Sequence, residues 1–225
     1  MKFKKAAIVG CGGIAVNLAP GLSRLMDVVL IDGDKYEPKN VTRQFPAMHS
    51  AANKAETLAL MLRPNTTMGI TSIPEFIKDS MILNDSRFEG VDLIIGCVDN
   101  NSSRLILMDL ADEMDATCIL AGNEHEDGEA HCFIPGVHNP LEHFEFPEGE
   151  RTPWGCNTDE VIEKYPQTPL ANIMAASAVF HILLSLEKVK KPTNAVVHSR
   201  LEPLSSTFKR AKHFEEKVPA PVMKE

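Results

Sequence analysis

The stretch from Lys5 to Ala15, "KAAIVGCGGIA", constrains the fold more than any other. A short apolar run breaks into glycines and passes at once into helical residues, and Gly10, Gly12 and Ala15 fit the pattern G-x-G-x-x-G/A. Glycines here, Gly13 among them, let the backbone approach a phosphate, and the following helix presents unpaired N–H groups to the anion. The next apolar run, "DVVLID", closes on Asp32, 22 residues beyond Gly10. An acid at that place can accept both hydroxyls of a ribose. A tight structural turn beside a surface carboxylate is the plain alternative.

The same alternation of strand and helix continues downstream. A helix is expected from about Ile14 to Met26, with a kink or early break at Pro20 and Gly21. "HSAANKAETLALMLRPN" places Ala55, Leu58, Ala59 and Leu62 on one helical face and stops near Pro64. Strands follow near "MGITSI" and "VDLIIGCVDN", then a helix "SSRLILMDLADEM", a strand "CILAGN" and a hairpin partner "EAHCFIPG". Periodicity fails between residues 137 and 169 and resumes in "LANIMAASAVFHILLSLEK", where Ile173, Ala176, Phe180, Leu183 and Leu184 share a face. "VVHSRLEPLSSTFKR" fits a last strand pair. The expected fold is α/β: a Rossmann-like, mostly parallel sheet with helices on both faces and a C-terminal extension. Residues 1–225 form one nucleotide-binding domain, with a core over about 1–136, an irregular crossover over 137–169, and a C-terminal helix and tail over 170–225.

Composition narrows the class of function. Lys plus Arg number 23 against 31 Asp plus Glu, a net charge of −8, which disfavours nucleic acid and anionic membranes. No apolar stretch reads as a membrane span, and the start lacks the pattern of a signal peptide, so a cytoplasmic protein is expected. Five cysteines without a CxxC pair favour reduced thiols.

The segment after Asp32 bears on the chemistry. "DGDKYEPKNVTRQ" brings Asp34, Asn40, Arg43 and Gln44 close behind the ribose acid, and Lys54 follows at the start of the next helix. NAD carries only a diphosphate, whereas a guanidinium and an ammonium beside one phosphate loop suit a triphosphate and its departing pyrophosphate. Asp99 in "GCVDNNSSR" leaves its strand at the same edge of the sheet and can hold Mg²⁺ against phosphate oxygens. Asp34 shapes the turn or assists the metal.

Together, "IVGCGGIA", "LIDGDKYEPKNVTRQ", the lysine of "NKAE" and "LIIGCVDNNSSR" resemble the motifs of the ThiF/MoeB superfamily, adenylating domains related to ubiquitin-activating enzymes. "YPQTPLANIMAASA" is similar to the start of the last helix in stand-alone ThiF-like proteins. The resemblance implies that Asp32 binds ribose, that Asn40, Arg43 and Lys54 bind phosphates, that Gln44 supports the loop and that Asp99 holds Mg²⁺. It implies a homodimer in which ATP adenylates the C-terminal carboxylate of a small ubiquitin-like or sulfur-carrier protein. Cys156, in "TPWGCNTDEV", is a candidate to take the acyl group as a thioester, or an incidental thiol. Cys11 and Cys97 read as packing residues, and Trp154 as a residue that packs the crossover or meets a partner.

The sequence departs from the family pattern at several points. Ala15 replaces the third glycine, the serine of the family's S-N-L-x-R-Q is lost, and an N-terminal arginine is expected to be absent or replaced. The paired CxxC motifs of a zinc site are missing, and His125, His131, Cys132, His138 and His143 match no metal spacing, so no structural zinc is expected. Two other functions stay open: a nucleotide-binding pseudo-enzyme that serves as an interaction module, and an NAD-dependent oxidoreductase.

Overall fold

The computed structural model describes residues 2–38, 40, 44, 51–124, 127–137, 168–188, 195–200 and 205–210. In chain order the elements are β1 (Lys5–Val9), α1 (Gly13–Leu22), β2 (Asp27–Ile31), α2 (Lys54–Leu62) and β3 (Ile70–Ile73). Then come β4 (Leu93–Gly96), α3 (Asn101–Met114), β5 (Thr117–Glu124), β6 (Asp127–Phe133), α4 (Pro169–Lys188), β7 (Ala195–Arg200) and β8 (Ser205–Arg210).

The strands join one sheet in the order β3-β2-β1-β4-β5-β6-β7-β8. The first five are parallel and the last three antiparallel, so the fold is the expected Rossmann-like α/β sheet with a C-terminal extension. Strand order reverses between β1 and β4, and in open α/β sheets the crevice at such a switch point is where ligands bind.

Alternation along the central strands fills two cores. Ala6 and Ile8 face α1, α2 and α4, while Ala7 and Val9 face Leu107, Met108 and Ala111 of α3. With both faces covered, these strands read as continuous apolar runs rather than alternating ones. At the β3 edge, Arg63 Nε donates to the Ile70 carbonyl (3.1 Å) and Arg87 Nη1 to that of Ser72 (2.8 Å), occupying acceptors another strand could use.

Two helices differ from expectation. Helix α1 runs through Pro20 and stops at Leu22, four residues before Met26, where the chain turns over Ser23, whose N–H closes on the Ala19 carbonyl. On α4 the expected face is buried only in part: Ala176 and Leu183 are buried and Phe180 packs against the core, but Ile173 and Leu184 are about half exposed, while Ala171, Ala175, Ala178, Val179 and Ile182 are fully buried. The alanines permit a close approach, for a Cβ on Gly128 of β6 would lie 2.2 Å from the Ala175 nitrogen. At 20 residues α4 is long and apolar enough to cross a membrane by length and composition, unlike the shorter stretch read from the sequence. Here its buried side packs against β5, β6, β7 and α1 as a core helix.

Candidate functional site

The site forms where β1, β2 and β4 release the chain at their carboxyl ends. Gly10 takes φ +87°, a conformation that favours glycine, and donates its N–H to the Ile31 carbonyl at 2.9 Å. A Cβ there would lie 2.5 Å from the Cys97 carbonyl oxygen, so β1 and β4 could not leave the sheet side by side with any other residue. Gly12 begins α1 without a side-chain cap, whereas Asn53 caps α2 and Asn100 caps α3. The first-turn N–H groups of α1 thus keep their affinity for an anion. A Cβ on Gly12 would meet nothing closer than the Gln44 side chain at 3.5 Å, which leaves room for a ligand.

Asp32 lies beneath this turn and is 8% exposed. One carboxylate oxygen accepts the Cys11 N–H and the other the Asp34 N–H, both at 2.7 Å. Each oxygen retains a lone pair for a ribose hydroxyl. Burial raises the Asp32 pKa, opposed by these two N–H groups and by the Lys54 ammonium.

The polar block after Asp32 is stapled to the start of α2. Asn53 Nδ2 donates to the carbonyls of Asp32 (2.7 Å) and Asp34 (3.0 Å), while Asn53 Oδ1 accepts the Glu56 N–H. The Lys54 N–H bonds the Asp34 carbonyl, and Lys54 Nζ sits 3.0 Å from Asp34 Oδ2. Asp34 therefore has a definite place, holding a mostly buried ammonium beside the glycine turn. Asn53 was missed in the sequence, although Asn-x-x-Glu ahead of an apolar run is a capping signal.

Asn40 is 4% exposed and closes a turn with Glu37, accepting its N–H on Oδ1 at 2.9 Å, so its amide nitrogen is the group left to donate to a phosphate. Gln44 packs against Gly12, and its Oε1 is buried without a partner among the described residues. Asp99 is exposed at the end of β4 beside Asn100, the cap of α3. Arg43, Trp154, Cys156, His125, His138 and His143 lie outside the described residues.

Cys11, Cys97, Cys118 and Cys132 are free thiols pushed up by burial, Cys97 and Cys132 to about 12. None is disposed to act as a nucleophile. Cys132 points into the core, while neighbouring His131 faces Glu129 at 3.5 Å, as strand alternation predicts. No group of three or more metal-binding side chains occurs among the described residues.

One further contact ties α4 to the turn. Asn172 is buried and accepts from Asn123 Nδ2 at 2.8 Å, and its amide lies 2.3 Å from where a Cβ on Gly13 would sit. Gly21 meets Phe180 in the same manner, so α4 runs parallel to α1 with both N-termini at the site. No spacing in the sequence announces this pair.

Comparison with known families matches residues 1–220 to the ThiF family. The chain belongs to the ThiF family. Among curated proteins it is 31% identical over 128 residues to ubiquitin-like modifier-activating enzyme 5 of Bombyx mori, covering 51% of this chain and 33% of that protein. To the enzyme of the same name from Arabidopsis thaliana it is 28% identical over 151 residues, covering 58% and 35%. The matched stretch thus spans about a third of these relatives' length. Among solved structures, E. coli MccB with ATP superposes at TM-score 0.67 and 21% identity, covering 92% of this chain and 64% of that one. The microcin C7 biosynthetic enzyme MccB with N-formylated MccA gives TM-score 0.69 at 19% identity, with the same coverage. PaaA gives 0.67 at 19%, again with that coverage. At such identities the superpositions speak for the fold.

Proposed function

We propose that the chain is an ATP-dependent adenylyltransferase acting on the C-terminal carboxylate of a small ubiquitin-like or sulfur-carrier protein, or of a peptide. The observation that carries this reading is the Asp34–Lys54 pair, which fixes an ammonium beside an uncapped glycine turn and above a buried ribose acid. The ThiF family, the activating enzymes among its relatives and the MccB structure with ATP support it.

In this reading the glycine turn and the Asn40 amide hold phosphates, while Asp32 accepts the ribose hydroxyls. The incoming carboxylate oxygen bonds to the α-phosphorus as the α–β bridging P–O bond breaks. The acyl-adenylate forms and pyrophosphate leaves with the electron pair. Lys54, with Arg43, offsets charge on the departing pyrophosphate, and Asp99 would hold Mg²⁺, which would supply further neutralisation of phosphate charge. The attacking carboxylate is already ionised and needs no base, so the protein's work is positioning and charge stabilisation. Transfer to Cys156 and assembly as a homodimer are finer parts of the same proposal.

The test is ATP–pyrophosphate exchange with a candidate carrier. Exchange is expected, with Lys54→Ala slowing it by about 10²-fold, the scale for removing one charge-stabilising donor. Binding of ATP without exchange supports the pseudo-enzyme, and tighter binding of NAD than of Mg-ATP supports the oxidoreductase. A thiol-labile adduct that persists in Cys156→Ala removes Cys156 as the nucleophile.

A further inference from the structure

Two adjacent glycines of the turn after β1 face different neighbours. A Cβ on Gly12 would meet nothing among the described residues closer than the Gln44 side chain at 3.5 Å, whereas one on Gly13 would fall within 2.6 Å of the Nδ2, Cγ and Oδ1 atoms of Asn172. Gly12 is the open side of the turn, and Gly13, the first residue of α1, is the filled side.

Asn172 is held where it is by three independent contacts. It lies in the first turn of α4, where Thr168 accepts the Ala171 N–H on its hydroxyl at 3.2 Å and the Asn172 N–H on its carbonyl at 3.4 Å. The helix rests on the sheet backbone to backbone, since a Cβ on Gly128 would lie 2.2 Å from the Ala175 nitrogen. Asn172 Oδ1 accepts from Asn123 Nδ2 at 2.8 Å, and this bond orients the amide so that its nitrogen comes nearest the Gly13 position, at 2.3 Å. A hydrocarbon would fill the same volume without the cost of burying polar groups. The amide pair adds direction to volume, tying the start of α1 to the end of β5.

The turn needs such support. Gly10, Gly12 and Gly13 give it the backbone freedom of glycine, and α1 begins without a side-chain cap. Its first half is pinned by the Gly10 and Cys11 N–H groups, which bond the Ile31 carbonyl and Asp32. In its second half the Val16 N–H bonds the Gly12 carbonyl at 3.1 Å and Asn17 Nδ2 that of Gly13 at 2.8 Å. Asn172 bears on the Gly13 Cα itself, the atom at which the peptides carrying the Gly13 and Ile14 N–H groups meet.

We propose that Asn172, held by Asn123, is a positioning residue for the nucleotide phosphates: it fixes the Gly13 and Ile14 N–H groups in the array an anion meets, without touching the ligand. With the amide against Gly13 the turn cannot relax toward α4, so the array is formed before binding and the cost of ordering it does not fall on the ligand. The ribose end does not depend on this support, because Asp32 is set by the Cys11 and Asp34 N–H groups and by the Asn53 clamp.

The inference rests on the nucleotide-binding reading above, and the experiment separates the two. Dissociation constants of adenosine, AMP and Mg-ATP are measured by titration calorimetry, with displacement for the weak ligands, on the wild-type chain, Asn172→Ala and Asn123→Ala, alongside thermal melts without ligand. Asn172→Ala is expected to weaken AMP and Mg-ATP by about three- to tenfold, the scale of one hydrogen bond lost to misalignment, and to leave adenosine unchanged. Asn123→Ala keeps Asn172 but loosens it, so a smaller loss with the same dependence on phosphate is expected; this variant carries the test if Asn172→Ala does not fold.

A merely structural amide pair would lower the melting temperature while moving adenosine and Mg-ATP together, and that outcome overturns the proposal. Equal affinity of variants and wild type for Mg-ATP overturns it as well, while the nucleotide reading stands. Failure of the wild type to bind Mg-ATP more tightly than adenosine removes the phosphates from this turn, and the nucleotide reading falls with this inference.

Discussion

At the scale of single residues, the site depends on two carboxylates with opposite tasks. Asp34 is exposed on its outer side and spends its charge on Lys54. Asp34→Asn leaves the backbone staple intact, so a stability cost of about 1 kcal/mol is expected for a pair whose carboxylate is exposed. Pyrophosphate exchange should fall about tenfold as the ammonium loses its fixed position, the effect of one charge-stabilising contact weakened rather than removed. Added to Lys54→Ala, the same change should do almost nothing, a non-additivity that exchange kinetics on the double variant would show. Asp32 is buried, and its raised pKa fixes the signs of two pH effects. For stability, the contribution is fully present below the ordinary aspartate range and is lost as pH rises through the raised value, because ionisation in the buried site is disfavoured. For binding the direction reverses: only the carboxylate can accept two ribose hydroxyls along with two N–H groups, so affinity falls as pH falls through that same value. Adenosine, which has no titrating phosphate, is the probe. Its dissociation constant should rise on acidification in the wild type and show no such transition in Asp32→Asn.

At the scale of elements, α4 closes the site from a direction the sequence did not disclose. Gly13→Ala would drive a methyl into the Asn172 amide, and overpacking of this kind costs about 1–3 kcal/mol. Most of that cost should vanish when Gly13→Ala is made on an Asn172→Ala background, since that change clears the space, and urea unfolding midpoints of the two single variants and the double variant decide it. The contrast with Gly10 is informative, for there the obstacle is the backbone of Cys97 and no second substitution could relieve it. The glycine turn, the strand closing on Asp32, α2 starting at Lys54 and the β5–β6 hairpin were all legible, because each is written locally in turn residues and periodicity. The packing of α4 was not. Its register is set by alanines fitting against Gly128 and by Asn172 reaching Asn123 and Gly13, contacts between positions far apart in sequence that no local pattern encodes. Reading Ile173 and Leu184 as buried along with Ala176 and Leu183 therefore misplaced the margins of the buried face.

For the whole molecule, a nucleotide that binds at the switch point should stabilise the entire sheet, since it bridges the loops after β1, β2 and β4. Mass action gives about 2.7 kcal/mol at a hundredfold excess of ligand over its dissociation constant. For a chain of this size that corresponds to a rise in melting temperature of roughly 5–10 °C. Mg-ATP is expected to produce such a shift, and NAD at equal concentration to produce a smaller one; a larger shift with NAD would reverse the functional reading. Global stabilisation alone does not locate the ligand, so amide hydrogen exchange supplies the second half of the test. Protection should rise most over 8–13, 32–36 and 52–57, where the glycine turn, the ribose acid and the α2 staple meet. The β8 strand lies five places from β1 in the sheet, about 24 Å at ordinary strand spacing. Its amides should change only as far as exchange proceeds through global unfolding. Protection concentrated at β7 and β8 instead would place the ligand on the antiparallel extension, and the site built on Asp32 and Lys54 would then not be where the nucleotide binds.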